Sequence, residues 1–266
     1  MILLLSGTSE GRTLSARFRE EGLPFVASVT TPEARQLFAA IDPPPEVLVT
    51  RFSGDALATL LRERQVRVIL DATHPFAQRI SEKAMQVAAR DHIPYVRYER
   101  PNRPLASSPL ARECGEILTA HNIEMAAQIC FERGSRVFLT TGTKTLPVFG
   151  EVMARKWVIA RVLPTLASLR QALEAGLPPA QILAMRGPFS QELECALLRE
   201  YQIDLLVTKD SGAAGGLETK LAAAASLQVP AVVVSRPQVT YPNLCHDLEE
   251  AVQTVIALMG EGVKHG

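Results

Sequence analysis

The first residues with the chemistry to hold an oxyanion are Ser6-Gly7-Thr8-Ser9-Glu10-Gly11-Arg12, which follow the apolar run Ile2–Leu5. Glycines let a backbone approach a pyrophosphate, and amides at the start of a helix favour its charge. Gly7 and Gly11 do not have GxGxxG spacing, and the run reads equally as a capped strand-to-helix turn. A second group lies about twenty residues on, where a fold of this kind places an acid on the ribose of NAD. This chain has Thr30 and Thr31 there, with Arg35 one turn further. Hydroxyls and a guanidinium suit a 2′-phosphate, so NADPH is expected, with NADH still compatible. Thr31 also reads as a helix cap. The third group is Asp71-Ala72-Thr73-His74-Pro75-Phe76-Ala77. Thr73 is a candidate cofactor contact, and His74 and Asp71 are candidate proton donors, with solvent as the alternative source.

Three further loops carry one cation each among small donors: Thr141-Gly142-Thr143-Lys144, Arg186-Gly187-Pro188-Phe189-Ser190 and Lys209-Asp210-Ser211-Gly212. They read as sockets for carboxylate or phosphate groups. Taken singly, each is also a capped turn with a solvated cation. No GxSxG elbow, HExxH or paired-carboxylate motif occurs, which leaves hydrolase chemistry without support.

All these loops follow short aliphatic runs, and helical patterns separate the runs. Strands are expected at 2–5, 24–30, 46–50, 66–71 and 94–98, then at 136–140, 157–162, 182–185, 204–208 and 231–235. Such alternation implies parallel βαβ units, whose ligands bind beyond the carboxyl ends of the strands. Prolines and serines from Glu99 to Pro109 mark a connection, giving domains at 1–105 and 106–266. The closing amphipathic helix, Leu248 to Met259, could join either. Ile93–Pro101 and Val229–Pro237 share a pattern, and at the same offset 67–74 falls on 203–210, as expected of two related halves.

Composition narrows the classes. Lys plus Arg and Asp plus Glu each total 28 in 266 residues, so no net charge grips nucleic acid. Cys114, Cys130, Cys195 and Cys245 form neither a CxxC pair nor a zinc cluster, so buried free thiols and no metal are expected. No apolar run reaches the length of a membrane span, and the N-terminus lacks a basic leader region, so the chain reads as cytoplasmic. Oligomeric state leaves no trace in the sequence.

The segments Gly7–Arg12, Asp71–Ala77, Arg97–Pro101, Thr141–Lys144, Arg186–Ser190 and Thr208–Gly212 occur in this order through nearly the whole chain. As an ordered set they resemble the precorrin-6A reductase family. The resemblance implies two Rossmann-like domains with parallel sheets and the active site in the cleft between them. It implies hydride transfer from a nicotinamide nucleotide to an anionic tetrapyrrole, precorrin-6A or its cobalt form, in cobalamin biosynthesis. The first-half loops would then hold the nucleotide and the second-half loops the substrate carboxylates. The rival classes are another two-domain oxidoreductase, a nucleotide-sugar transferase and a non-catalytic NADP sensor.

Overall fold

The computed structural model describes residues 1–101, 116–212 and 215–261. The expected connection beyond Pro101, the boundary at 105/106 and Cys114 lie outside them. The chain forms two compact units, one of residues 1–101 with the chain from Gln238 onward, the other ending at Pro237.

The first unit runs β1 (Ile2–Leu5), α1 (Ser9–Glu20), β2 (Phe25–Val29), α2 (Pro32–Gln36), β3 (Val47–Val49), α3 (Gly54–Glu63), β4 (Val68–Asp71), α4 (Gln78–Arg90) and β5 (Tyr95–Tyr98). The second runs β6 (Ile117–Ala120), α5 (Ile123–Arg133), β7 (Arg136–Leu139), a 3₁₀ segment (Thr143–Phe149), α6 (Gly150–Arg155), β8 (Trp157–Val162), α7 (Leu166–Glu174), β9 (Ile182–Ala184), α8 (Gln191–Glu200), β10 (Leu205–Lys209), α9 (Leu217–Ser226) and β11 (Ala231–Val234). The chain then adds β12 (Leu244–Cys245) and α10 (Leu248–Glu261) to the first unit.

Each described sheet has six strands, in the orders β12-β5-β4-β1-β2-β3 and β6-β11-β10-β7-β8-β9, and every pairing is parallel. The orders coincide position by position. Only the sixth strand has a different origin: it precedes the five others in the second sheet and follows the whole second unit in the first. Strands buried on both faces need uniformly apolar runs, and β1 and β11 are such runs, buried at every residue.

Helix ends repeat between the units as well. Gln65, His92, Gln202 and Gln228 all adopt positive φ, from 47 to 54°. Each follows a helix, and the next residue donates its amide five positions back: Val66 to Leu61 O, Ile93 to Ala88 O, Ile203 to Leu198 O and Val229 to Ala224 O. This left-handed closure turns the chain from helix into strand. It occurs at matching places in both units, as the sequence echo anticipates.

The returning tail completes the first core. Ala251, Val252 and Val255 of α10 are fully buried against Leu14, Phe18 and Val96, and Cys245 joins them. The expected 106–266 domain therefore ends early, because the apolar stripe of α10 packs on the first sheet. Val252→Asp places an unpaired carboxylate in that core. It should abolish amide protection in β1, β4 and β5 while β7, β10 and β11 stay protected in hydrogen exchange. Equal loss in both sheets would contradict this division.

Candidate functional site

Strand order reverses direction between β1 and β4 in the first sheet and between β7 and β10 in the second. Loops leaving such neighbours diverge and open a crevice at the carboxyl edge. In the first unit the crevice lies between Ser6–Gly11 and Ala72–Ala77.

Its floor is organised by one carboxylate. Asp71, the last residue of β4, is fully buried. Its Oδ1 accepts from Arg97 Nη1 at 2.9 Å, Thr73 N at 2.9 Å and Thr73 Oγ1 at 2.6 Å. Its Oδ2 accepts from Ser81 Oγ and Tyr95 OH, both at 2.6 Å. Burial, followed by the charge of Asp71, pushes the Tyr95 phenol far above its ordinary range, so Tyr95 stays a donor. Arg97 is also fully buried and donates from Nε to Glu99 at 3.3 Å, with its guanidinium 5.3 Å from the Tyr241 ring centre. Asp71 has no lone pair or path left for a reacting molecule. It holds the loop after β4, and the candidate role of proton donor does not suit it.

His74 is constrained differently. Its Nδ1 accepts from Phe76 N at 3.2 Å. A ring protonated at both nitrogens would set N–H against N–H, so the contact favours the form carrying its hydrogen on Nε2. That form is a hydrogen-bond donor rather than an acid.

Several candidate nucleotide contacts are already occupied. Thr8 Oγ1 accepts from Gly11 N at 3.3 Å and donates to Ala72 O at 2.9 Å, tying the two loops together across the crevice. Thr73 Oγ1 lies between Asp71 and Arg97, and Thr31 Oγ1 caps α2 through Ala34 N at 3.2 Å. Ser9 Oγ donates to Glu10 at 3.0 Å, and Arg100 grips the Glu10 carboxylate through both Nε and Nη2. That grip outweighs burial, which alone would raise the acid, and holds Glu10 below the usual carboxylate range. Gly11 is not a ligand-facing glycine, because a Cβ there would lie 1.9 Å from Ser6 Oγ. It is the close contact between helix and strand. A Cβ on Gly7 meets nothing within 4 Å, so its backbone is open to an approaching ligand. Thr30, Arg12 and Arg35 keep side chains with no hydrogen bond among the described residues.

In the second unit, Lys144 and Lys209 flank the equivalent crevice. Lys209 is the last residue of β10 rather than part of a loop. Burial, then the neighbouring charge of Lys144, pushes its ammonium down to about 8. Gly142 takes φ of 83°, a turn that favours glycine. Thr141 shares a 2.8 Å hydrogen bond with Thr145, and Thr143 donates to Gln171 at 2.7 Å. Arg186 is exposed, Gly187 packs against the Phe189 ring, and Ser190 caps α8. Asp210 is buried 3.6 Å from Arg236 Nε, so it offsets a cation and does not bind an anion. Ser211 packs against Gly215. Sequence reasoning missed the buried Arg161–Glu194 pair, bonded twice at 2.9 Å. The guanidinium of Arg161 also lies 4.7 Å from the Phe189 ring centre and steadies the Arg186 loop.

Fold and site together define a two-unit α/β protein whose described sheets are all parallel, with a crevice at the switch point of each sheet. Residues 1–256 match the precorrin-6x reductase CbiJ/CobK family. The cobalt-precorrin-6A reductase of Priestia megaterium is 33% identical over 259 residues, 96% of this chain and 98% of that one. The precorrin-6A reductase of Mycobacterium tuberculosis is 36% identical over 240 residues, 89% of this chain and 88% of that one. A solved structure described as CobK precorrin-6A reductase superposes with a TM-score of 0.75 at 25% identity, covering 96% of each chain. The chain belongs to the precorrin-6x reductase family and is an oxidoreductase. Among the described residues no helix is long and apolar enough to cross a membrane.

Asp71→Asn should cost about 3–5 kcal/mol in urea denaturation, the usual penalty for leaving a buried partner charge uncompensated. A loss below about 1 kcal/mol would show that Arg97 finds another partner.

Proposed function

We propose that the chain reduces the macrocycle of precorrin-6A, or of its cobalt complex, with NADPH. The first unit holds the nucleotide and the second holds the tetrapyrrole. The observation that carries this reading is the contrast between the two crevices. The first offers an open glycine backbone beside a helix start, and the second offers separated cations.

The residues fit a dinucleotide. Gly7 leaves room for a pyrophosphate, and the amides of Ser9 and Glu10 begin α1. When bound, the nucleotide supplies a hydride. The protein must hold the acceptor carbon in line with it and keep water away. Thr8 fixes the spacing of the two loops, and Asp71 with Arg97 fixes the floor. Neither Asp71 nor the His74 Nδ1 is placed to release a proton, so the second hydrogen comes from solvent or another group. His74 serves through its Nε2 hydrogen.

The tetrapyrrole carries carboxylates around its rim, and separated cations match that pattern better than one pyrophosphate would. Lys144, Arg186 and Lys209 are the sockets. Each desolvated charge-assisted contact contributes about 1.5–3 kcal/mol.

The direct test is turnover of precorrin-6A with NADPH, followed by tetrapyrrole absorption. The parent should consume NADPH in step with the spectral change, and Gly7→Val should lose NADPH affinity without losing stability. A parent that leaves the macrocycle unchanged with either nucleotide sinks the reading.

A second outcome concerns pH. Lys209 holds a carboxylate only while charged, and its ammonium is lost as pH rises through about 8. Beside it stand Lys144 and the Asp210–Arg236 pair. Tetrapyrrole affinity should therefore fall above that pH. Lys144→Met removes the repulsion and should move the fall to higher pH. An affinity flat to pH 10, or an unmoved fall in the variant, would remove Lys209 from the socket.

A further inference from the structure

The two sheets share one strand order, so β8 and β9 occupy the places that β2 and β3 hold in the first. What leaves their carboxyl ends differs in kind. In the first sheet those loops open on Thr30-Thr31 and Thr50-Arg51. In the second they are Leu163-Pro164-Thr165-Leu166 and Met185-Arg186-Gly187-Pro188-Phe189. Leu166 is 84% exposed and Leu163 51%, the two most exposed large apolar side chains among the described residues. Pro164 and Pro188 are exposed beside them, and Met185 and Phe189 are partly buried. Single apolar side chains on a surface are ordinary, but a group of them on two adjacent loops marks a contact site.

Both loops are fixed by contacts of their own. Thr165 N donates to Leu163 O at 2.8 Å, and Thr165 Oγ1 accepts from Ser168 N at 3.2 Å to cap α7. Met185 N donates to Val162 O at 2.9 Å, which carries the β8–β9 register past the strand end. Phe189 lies across Gly187, with the Arg161 guanidinium 4.7 Å from its ring centre, and Glu194 holds Arg161. The side chains of Leu163 and Leu166 have no part in these contacts. The backbone holds them out into solvent without needing them for the turn.

Cations bracket the apolar loops. The edge runs β10, β7, β8, β9, so Lys209 and Lys144 lie on one side and Arg186 on the other. With neighbouring strands about 4.8 Å apart, the strands that carry the outer cations lie roughly 14 Å apart. That is the scale of a tetrapyrrole with its acid side chains, an ion whose charge lies on the rim and whose faces are apolar. We propose that Leu163 and Leu166, with Met185 and Phe189, form an apolar shelf for the face of the tetrapyrrole, between the cations that take its rim carboxylates. The inference rests on the reading that the second unit holds this substrate. The shelf supplies a selectivity that the cations lack. A nucleotide or a small polycarboxylate can pair with Lys144 and Arg186, but it leaves the leucines in water. A macrocycle covers them, and that burial adds to the ion pairs.

Calorimetric titration of the full chain with precorrin-6A, and separately with NADPH, tests the shelf. Leu166→Ser should weaken precorrin-6A binding by about tenfold or more, the effect of burying one leucine side chain. NADPH affinity should be unchanged, and Leu166→Met should recover most of the loss. The position is exposed, so thermal unfolding of both variants should match the parent. Salt separates the shelf from the sockets, because screening weakens ion pairs and spares apolar contact. The affinity ratio between parent and Leu166→Ser should hold from low to high salt, whereas the ratio for Lys144→Met should shrink. Precorrin-6A affinity unchanged in Leu166→Ser, or a ratio that shrinks with salt, overturns the shelf and leaves the cations as sockets. A parent that sediments as a dimer, with Leu166→Ser a monomer, assigns the leucines to contact between copies and also overturns it. A parent that does not bind precorrin-6A removes the substrate reading as well.

Discussion

The buried contact between Asp71 and Arg97 is the constraint on which the first unit's chemistry depends. A charge pair out of water survives only if its remaining lone pairs and protons are satisfied. Asp71 meets that condition with five donors drawn from the loop after β4, from α4 and from β5. Each donor is thereby fixed relative to the others. The loop after β4 can then present Thr73, His74 and Pro75 at a crevice without folding back into it. The same saturation keeps Asp71 out of the chemistry. A residue that looks catalytic by type and place turns out to be the anchor for its neighbours.

Arg97 also draws the tail of the chain into the arrangement. Its amide donates to Asn243 O at 2.7 Å, and Tyr241 covers its guanidinium. Asn243 in turn donates to Tyr95 O at 2.9 Å. Residues far apart in sequence thus close the edge of the sheet beside the crevice, and α10 seals the core beneath. The second unit solves the same problem with β6, a strand that precedes its five others. Two sheets of identical order are thus completed in opposite ways, one by a strand ahead of its five others and one by a strand behind them.

How much of this was legible follows from what each signal is made of. Strands buried on both faces write themselves as aliphatic runs, and ten of the twelve described strands were expected within a residue or two. The edge strands β6 and β12 were not. Leu244–Cys245 is too short to carry a pattern, and it is a strand because β5 offers it a partner. Loop motifs were found, but sequence could not say which atoms in them were committed. Thr8, Thr31 and Thr73 read as ligand donors, and their hydroxyls are spent on caps and bridges. Gly11 read as a phosphate glycine, and it is a packing glycine because Ser6 lies against it.

The division of labour between the two crevices is the central claim, and amide hydrogen exchange with and without NADPH tests it most directly. The nucleotide should slow exchange at Gly7, Ser9 and Glu10 and in the loop after β4, and leave the loops after β7 and β10 unaffected. Protection confined to Thr141–Lys144 and Lys209–Gly212, with the first unit unchanged, would show that the second unit holds the nucleotide.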